Sequence, residues 1–121
     1  MKNITFIGTG YVGLVSGTGI SDFGHKVTCF DISKEKIKHL KNGEVSIYEP
    51  GLKELIRKNT IAGRLTFTTN PKTAIQGADV IFIAVGTPMG IDGKSDLKYI
   101  EMAANTIGKY LNSYAVICTK S

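Results

Sequence analysis

The chain has 121 residues, of which 42% are hydrophobic and 14 are glycines, enough for one domain with a buried core. The formal charge of +5 comes partly from four lysines close together in the sequence, Lys34, Lys36, Lys38 and Lys41. Basic residues do not alternate with aromatic ones, and no known nucleic-acid-binding module is recognised, so we expect no nucleic-acid binding. The longest apolar runs fall far short of the roughly 20 residues of a membrane helix, and no secretory signal is present, so we expect a cytoplasmic protein.

Apolar, β-rich runs alternate with amphipathic or glycine-punctuated segments along the chain. The pattern predicts strands over residues 4–7, 27–30, 65–68, 80–85 and 115–118, and helices over residues 11–22, 34–41, 51–61, 71–76 and 96–111. Such alternation is typical of a parallel sheet, and unbroken apolar strands indicate burial on both faces by helices. The sequence therefore predicts an α/β fold with a doubly wound parallel sheet, incomplete at its C-terminal end.

Some residues are predicted to shape individual helices. Asp96 is a candidate N-cap, because its carboxylate can accept from first-turn amides and complements the helix dipole. Pro50 is expected near the first position of the third helix. Thr18 and Gly19 are weak helix formers inside the first helix, which questions the stability of that helix.

A glycine-rich loop joins the first strand to the first helix. Its sequence is a G-x-G-x-x-G motif in the strand-turn-helix setting of dinucleotide-binding domains, Gly8-Thr9-Gly10-Tyr11-Val12-Gly13. Gly8 permits a tight turn, Gly10 leaves room for a pyrophosphate, and Gly13 lets the helix pack closely on the strand. The anion then rests on the unpaired amides of the helix, although a glycine loop alone also fits an ordinary turn.

Asp31 follows the second strand, where a carboxylate accepts both hydroxyls of an adenosine ribose. The loop and Asp31 together predict a Rossmann domain that binds a dinucleotide. A carboxylate at this position repels a 2′-phosphate, which favours NAD over NADP. Lys34 and Lys36 soften that preference, because either can pair with a phosphate.

Residues 85–88 are predicted at the carboxyl end of the fourth strand, beside the first strand at the topological switch point. Ligands bind at this point in open α/β sheets, so Val85 and Gly86 are candidate cofactor contacts. Thr87 either contacts the cofactor or only fixes the turn before Pro88.

The cysteines and histidines carry no predicted chemistry. Cys29 and Cys118 lie in separate apolar runs, which predicts reduced core thiols rather than a disulfide or a metal site. Cys118 has no adjacent histidine or helix N-terminus to activate it, so we expect a structural thiol. His25 and His39 are expected at the surface or at strand edges, without metal-ligand spacing, and no metal is predicted.

Four separated segments resemble signature segments of the UDP-glucose/GDP-mannose dehydrogenase family. They are SIYEPGL at residues 46–52, VGTP at 85–88, GKSDLKYI at 93–100 and CTKS at 118–121. The resemblance covers the whole chain, in order and with matching gaps, and implies an N-terminal NAD-binding domain over residues 1–121. Local physics gives residues 48–51 only a structural role, whereas the resemblance places them in the wall near cofactor and substrate.

The resemblance also implies roles for single residues. Residues matching 8–13 hold the pyrophosphate, the acid matching Asp31 holds the ribose, and the basic residue matching Lys36 lies beside the adenosine. The stretch matching residues 85–89 runs along the cofactor toward the nicotinamide. Ser121 matches a serine of the segment that closes over the nicotinamide end.

Family members oxidise the 6-hydroxyl of a nucleotide sugar to a carboxylate with two NAD, using a cysteine that forms a thioester. The resemblance implies that this cysteine, a central helix and the sugar-binding domain lie outside these residues, and that the full-length protein is a homodimer. Tyr48 favours UDP-glucose as the substrate, bound through the absent domain and oxidised to UDP-glucuronate. GDP-mannose or UDP-N-acetylmannosamine dehydrogenases, and a non-catalytic NAD-binding module, remain alternatives.

Overall fold

The computed structural model describes residues 1–86, 90, 93 and 97–120, and within them one sheet is flanked by helices. The strands are β1 (Asn3–Ile7), β2 (Lys26–Phe30), β3 (Leu65–Thr68), β4 (Val80–Ile83) and β5 (Val116–Thr119). The helices are α1 (Tyr11–Asp22), α2 (Lys34–Lys41), α3 (Leu52–Ile61), α4 (Pro71–Ile75) and α5 (Lys98–Tyr110). The predicted alternation of strands and helices is confirmed, with most bounds within two residues.

All strand pairs are parallel, and the strand order is β3-β2-β1-β4-β5. The chain builds outward from β1 to β3 and then returns to place β4 on the other side of β1. The order therefore reverses between β1 and β4, and their carboxyl ends flank the crevice in which such sheets bind ligands. The predicted doubly wound α/β fold is confirmed.

The core lies on both faces of the sheet. On one face Phe6 and Val27 pack with Leu14 of α1 and with residues of α2 and α3. On the other face Ile81 packs with Ile107 of α5 and with residues of α4. Because successive strand residues point to opposite faces, an unbroken apolar run fills both layers at once.

Helix α1 packs unusually close to the sheet through small residues. A Cβ at Gly17 would lie 3.1 Å from Cys29 Sγ and 3.3 Å from the Phe6 ring. Thr18, the next residue, is also fully buried, and α1 keeps its full predicted length. The weak helix formers do not shorten α1, because tertiary packing outweighs helix propensity. Cys29 is the core thiol that the sequence predicted, and burial raises its pKa to about 12.

Two helix starts differ from the prediction. Gly51, with a left-handed φ of 80°, occupies the N-cap position of α3, so the helix begins at Leu52, one residue later than predicted, and Pro50 lies two residues before it. Helix α5 begins at Lys98 with Leu97 in the N-cap position. Asp96, the predicted N-cap, lies outside the described residues.

The prediction of a buried last strand is wrong. Val116 and Ile117 are 45% and 46% exposed, and Cys118 is only partly buried, so Cys118 is not a core thiol. The reason is position: β5 is an edge strand of the described sheet, paired only with β4. An apolar run reads the same in sequence whether or not other elements cover it.

Within the described part of the chain, no helix combines the length and apolar character that crossing a membrane requires. That part also contains no group of three or more His, Cys, Asp or Glu side chains arranged to hold a metal ion.

Candidate dinucleotide site

The glycine loop leaves β1 at its carboxyl end and runs directly against β4. Gly8 has a φ of 110°, and a Cβ at this position would lie 2.7 Å from the carbonyl oxygen of Ala84. The amide of Gly8 donates to the carbonyl of Phe30 at 2.8 Å, which fastens the loop to β2 as well. Both the backbone conformation and the contact with β4 require glycine here.

Gly13 and Gly10 are glycines for different reasons. A Cβ at Gly13 would lie 2.0 Å from the carbonyl oxygen of Gly8, so the first turn of α1 closes tightly on the loop. Gly10 has an ordinary φ of −74°, and a Cβ there would meet nothing within 4 Å. Since neither its conformation nor its neighbours require glycine, the open space at Gly10 fits the close approach of a ligand.

The N-terminus of α1 lacks the usual caps. Gly10 occupies the N-cap position without a side-chain hydrogen bond, and the first turn contains no acidic residue. The first-turn amides of an α-helix have no partner within the helix, and the positive end of the helix dipole adds to their field. This end of α1 is therefore suited to an anion such as a pyrophosphate.

Asp31 ties the end of β2 to the glycine loop. Its Oδ2 accepts from the amide of Thr9 at 3.0 Å and from the Thr9 hydroxyl at 2.7 Å, while its Oδ1 accepts from the amide of Ser33 at 3.0 Å. A carboxylate offers about four acceptor positions. Room remains for about one ribose hydroxyl while these bonds persist.

A cleft of about 450 Å³ opens where β1, β2 and β4 end and α5 passes beside them. Strand β4 ends at Ile83, two residues before the predicted end. The structure gathers seven of the predicted site residues in the lining of this cleft: Gly8, Thr9, Gly10, Asp31, Lys36, Val85 and Gly86.

Residues that the sequence analysis missed complete the wall of the cleft. Ile32 follows Asp31, and α5 contributes Tyr99, Met102 and Thr106. These α5 positions recur at spacings of three and four residues, the signature of one helix face. That face was readable in the sequence, but its closeness to Asp31 depends on the crossing of the chain from β3 to β4.

Among the predicted residues that the structure describes, three do not line this cleft: Tyr11, Val12 and Gly13. Tyr11 lies in a neighbouring cleft of about 530 Å³ that shares Thr9, Gly10 and Lys36 with the first. Val12 packs against the hydrophobic core. Predicted site residues Thr87, Pro88 and Ser121 lie outside the described residues.

Tyr11 connects the glycine loop to the SIYEPGL segment at residues 46–52. Its hydroxyl donates to Oε2 of Glu49 at 2.9 Å. This hydrogen bond, together with the negative charge of Glu49, raises the pKa of Tyr11. Sequence analysis gave Glu49 no individual role, since the two residues are 38 positions apart.

The two histidines lie at the surface or at a strand end, as predicted. His39 hydrogen-bonds to Glu44 and lies 3.8 Å from Glu35. The bond to Glu44 is the main reason why the pKa of His39 is raised. His25 accepts a hydrogen bond from the amide of Lys2 at 3.1 Å.

A glycine loop on an uncapped helix, an acid at the end of β2 and a cleft at the switch point define a dinucleotide-binding Rossmann domain. Comparison with known families narrows this class. Residues 2–121 match the profile described as the UDP-glucose/GDP-mannose dehydrogenase family, NAD binding domain. The chain belongs to this family, and the resemblance found in the sequence is confirmed.

Individual relatives agree in fold and sequence. The chain is 56% identical to the UDP-glucose 6-dehydrogenase TuaD of Bacillus subtilis, over all of this chain and 26% of that protein. A solved UDP-glucose dehydrogenase of Pyrobaculum islandicum superimposes with a TM-score of 0.94 at 36% identity, over 100% of this chain and 29% of that one. A solved GDP-mannose dehydrogenase of Pseudomonas aeruginosa superimposes with a TM-score of 0.92 at 38% identity, over 100% of this chain and 28% of that one. The chain thus spans about a quarter of the length of these relatives.

Proposed function

We propose that the chain is the cofactor-binding part of a nucleotide-sugar dehydrogenase that oxidises UDP-glucose to UDP-glucuronate with two NAD. The observation that carries the proposal is the open space before Gly10, at the uncapped N-terminus of α1. NAD supplies the hydride acceptor when bound. The residues of this chain bind and orient it.

In the proposed binding mode, the pyrophosphate lies on the first-turn amides of α1, where Gly10 presents no side chain. Asp31 accepts from the adenosine ribose. The adenine lies against the wall formed by Ile32, Tyr99 and Met102, which line the same cleft as Asp31. Lys36 lies beside the adenosine.

The nicotinamide half leaves the glycine loop toward the end of β4. Val85 and Gly86 line the cleft on this side, directly after Ala84, whose carbonyl oxygen would lie 2.7 Å from a Cβ at Gly8. Thr87 and Pro88 continue this path in sequence, and Ser121 belongs to the segment proposed to close over the nicotinamide.

The substrate assignment depends on the relatives. The identity of 56% to a protein named UDP-glucose 6-dehydrogenase supports UDP-glucose. The match to the GDP-mannose dehydrogenase keeps that sugar as the alternative, along with UDP-N-acetylmannosamine. The third candidate is a non-catalytic NAD-binding module. Cys29 offers no activated thiol, because it is fully buried and burial raises its pKa.

Cellular setting and assembly complete the proposal. Both cysteines are free thiols, which fits the reducing cytoplasm in which we place the protein. We further propose that the full-length protein is a homodimer and binds UDP-glucose through a domain outside these residues.

Calorimetric titration of the purified chain with NAD and with NADP tests the binding mode. We expect NAD to bind more tightly, because the Asp31 carboxylate repels a 2′-phosphate. Equal or tighter binding of NADP would contradict the role of Asp31.

Adding UDP-glucose and NAD to the chain while following NADH absorbance tests whether these residues bind the cofactor without catalysing the oxidation. We expect no turnover by these residues alone. Robust turnover would contradict this expectation and would make Cys118 the first residue to test as a nucleophile.

A further inference from the structure

Residues 43–51 cross from α2 to α3 beside the glycine loop. The segment begins and ends at glycines with a left-handed φ of 80°, Gly43 and Gly51. Between them, Val45 and Ile47 pack against the core from a partly buried position. The hydrogen bond between Tyr11 and Glu49 joins the end of this segment to the first residue of α1.

The glycine loop therefore has a carboxylate contact on each side. On one side Asp31 accepts two bonds from Thr9. On the other side Glu49 accepts one bond from Tyr11. The two carboxylates thus hold Thr9 and Tyr11, the residues on either side of Gly10. Gly10 itself has no side chain through which it could be held.

We propose that Glu49 is a positioning residue of the dinucleotide site, acting through the hydroxyl of Tyr11. The inference rests on the proposed NAD site at the N-terminus of α1. Tyr11 is the first helical residue, so its amide is among those that receive the pyrophosphate. A fixed Tyr11 side chain holds this amide, and the turn that follows it, in one orientation before the ligand arrives.

The need for such a device follows from the composition of the loop. Gly8 and Gly13 are held by tight backbone contacts, whereas Gly10 has no neighbour within 4 Å of a Cβ and gives the backbone before Tyr11 the freedom of a glycine. The N-cap position adds no side-chain bond of its own. Ordering a mobile loop when a ligand binds costs affinity, and fixing the loop beforehand removes part of that cost. Glu49 is only partly buried, so it can accept from Tyr11 without the penalty of a buried charge.

Four variants of the 121-residue chain test the proposal by NAD titration. We expect Tyr11→Phe and Glu49→Ala each to raise the Kd for NAD about threefold to tenfold, the range for loss of one hydrogen bond. Glu49→Gln keeps an acceptor for the hydroxyl and should stay near wild type. The double variant Tyr11→Phe/Glu49→Ala should bind no more weakly than either single variant, because both remove the same bond.

The controls separate positioning from folding. Tyr114→Phe and Glu54→Gln change the same residue types at exposed positions outside the cleft, since Tyr114 is 88% exposed and Glu54 is exposed on α3, and they should leave the Kd unchanged. Thermal unfolding should move little in any variant, since the Tyr11–Glu49 pair is exposed. A large loss of stability without a change in Kd, or additive effects in the double variant, would overturn the positioning role.

Limited proteolysis with chymotrypsin, which cleaves after Tyr48, reports on the segment without any ligand. We expect Tyr11→Phe to speed cleavage there, and NAD to slow it in the wild type. If the wild type binds no NAD, both the proposed function and the positioning role fail, although faster cleavage would still reveal the contact. If the wild type binds NAD and Tyr11→Phe binds it equally well, only the positioning role fails.

Discussion

Thr9 donates twice to the same oxygen of Asp31, through its amide at 3.0 Å and its hydroxyl at 2.7 Å. The two residues are 22 positions apart, and their hydrogen bonds join the glycine loop to Asp31, the residue proposed to bind the ribose. A change at Asp31 should therefore act on the ribose contact and on the loop together. Thr9 offers a way to separate these effects.

Asp31→Ala should weaken NAD binding about 10- to 100-fold, because it removes a charged acceptor from both the ribose and Thr9. Thr9→Val removes only the hydroxyl bond within the protein and should cost less. Asp31→Asn should narrow the difference between NAD and NADP, since the amide does not repel a phosphate. Titration of each variant with both cofactors measures these effects, and an unchanged NAD affinity in Asp31→Ala would remove Asp31 from the site.

The glycines of the loop should respond in opposite ways to substitution. Gly10→Val should leave the chain folded, because its backbone is extended and a Cβ meets nothing within 4 Å, but should block NAD binding. Gly13→Ala should disturb the fold itself, because its Cβ would lie 2.0 Å from a carbonyl oxygen. Circular dichroism and NAD titration distinguish the outcomes. A folded Gly10→Val variant with normal affinity would argue against a ligand at this position.

The sequence predicted the parts of the site whose signals are local. The glycine motif and Asp31 each follow an apolar strand, and the strand order then brings them together because parallel strands end at the same edge. Helices α1 and α2 were predicted with correct bounds, since their starts and ends carry glycine, serine and charge signals. Gly10 was assigned from its motif, and the structure adds that neither its backbone conformation nor a neighbouring atom within 4 Å of a Cβ requires glycine there.

What the sequence did not predict depends on contacts between distant segments. The α5 wall at Tyr99 and Met102 reaches Asp31 only after the chain crosses the sheet. The bond between Tyr11 and Glu49 has no sequence signal, because any two surface side chains of these types look alike until the fold brings them together. The exposure of Ile117 depends on which strands neighbour β5, a property that the apolar run by itself does not show.

Stability should depend on pH through His39. The pKa of His39 is raised above its ordinary value of 6.5, first by the hydrogen bond to Glu44, then by the charges of Glu44 and Glu35. The stabilising contribution of protonated His39 is therefore complete below pH 6.5 and is lost as pH rises through the raised pKa. Urea unfolding between pH 5 and pH 9 should show this loss. Glu44→Gln should flatten it, whereas a matched His25→Gln change should leave it; an unchanged slope in Glu44→Gln would contradict the assignment.

Thr18→Val should stabilise the chain. Thr18 is fully buried in α1, and its hydroxyl has no hydrogen-bond partner among the described residues. Valine has nearly the same shape and leaves no buried polar atom unpaired, so we expect a gain of about 1 kcal/mol in the free energy of unfolding. Ser21→Ala is the matched change one turn later, where the hydroxyl does donate, to the carbonyl of Thr18 at 2.7 Å, and it should destabilise. A less stable Thr18→Val variant would point to a partner for this hydroxyl.

The exposed edge at β5 should make the 121-residue chain self-associate. Val116 and Ile117 stand out on an edge strand whose outer backbone groups have no partner strand within the described sheet, a combination that favours pairing with another copy. Ile117→Lys should shift the chain toward monomer, because a charged residue on an edge strand opposes such pairing. Ile61→Lys replaces an even more exposed apolar side chain at the end of α3, 76% exposed and away from β5, and should have little effect. Light scattering at several concentrations measures both variants. A wild-type chain that stays monomeric, or an equal response to the two substitutions, would show that the β5 edge does not drive association.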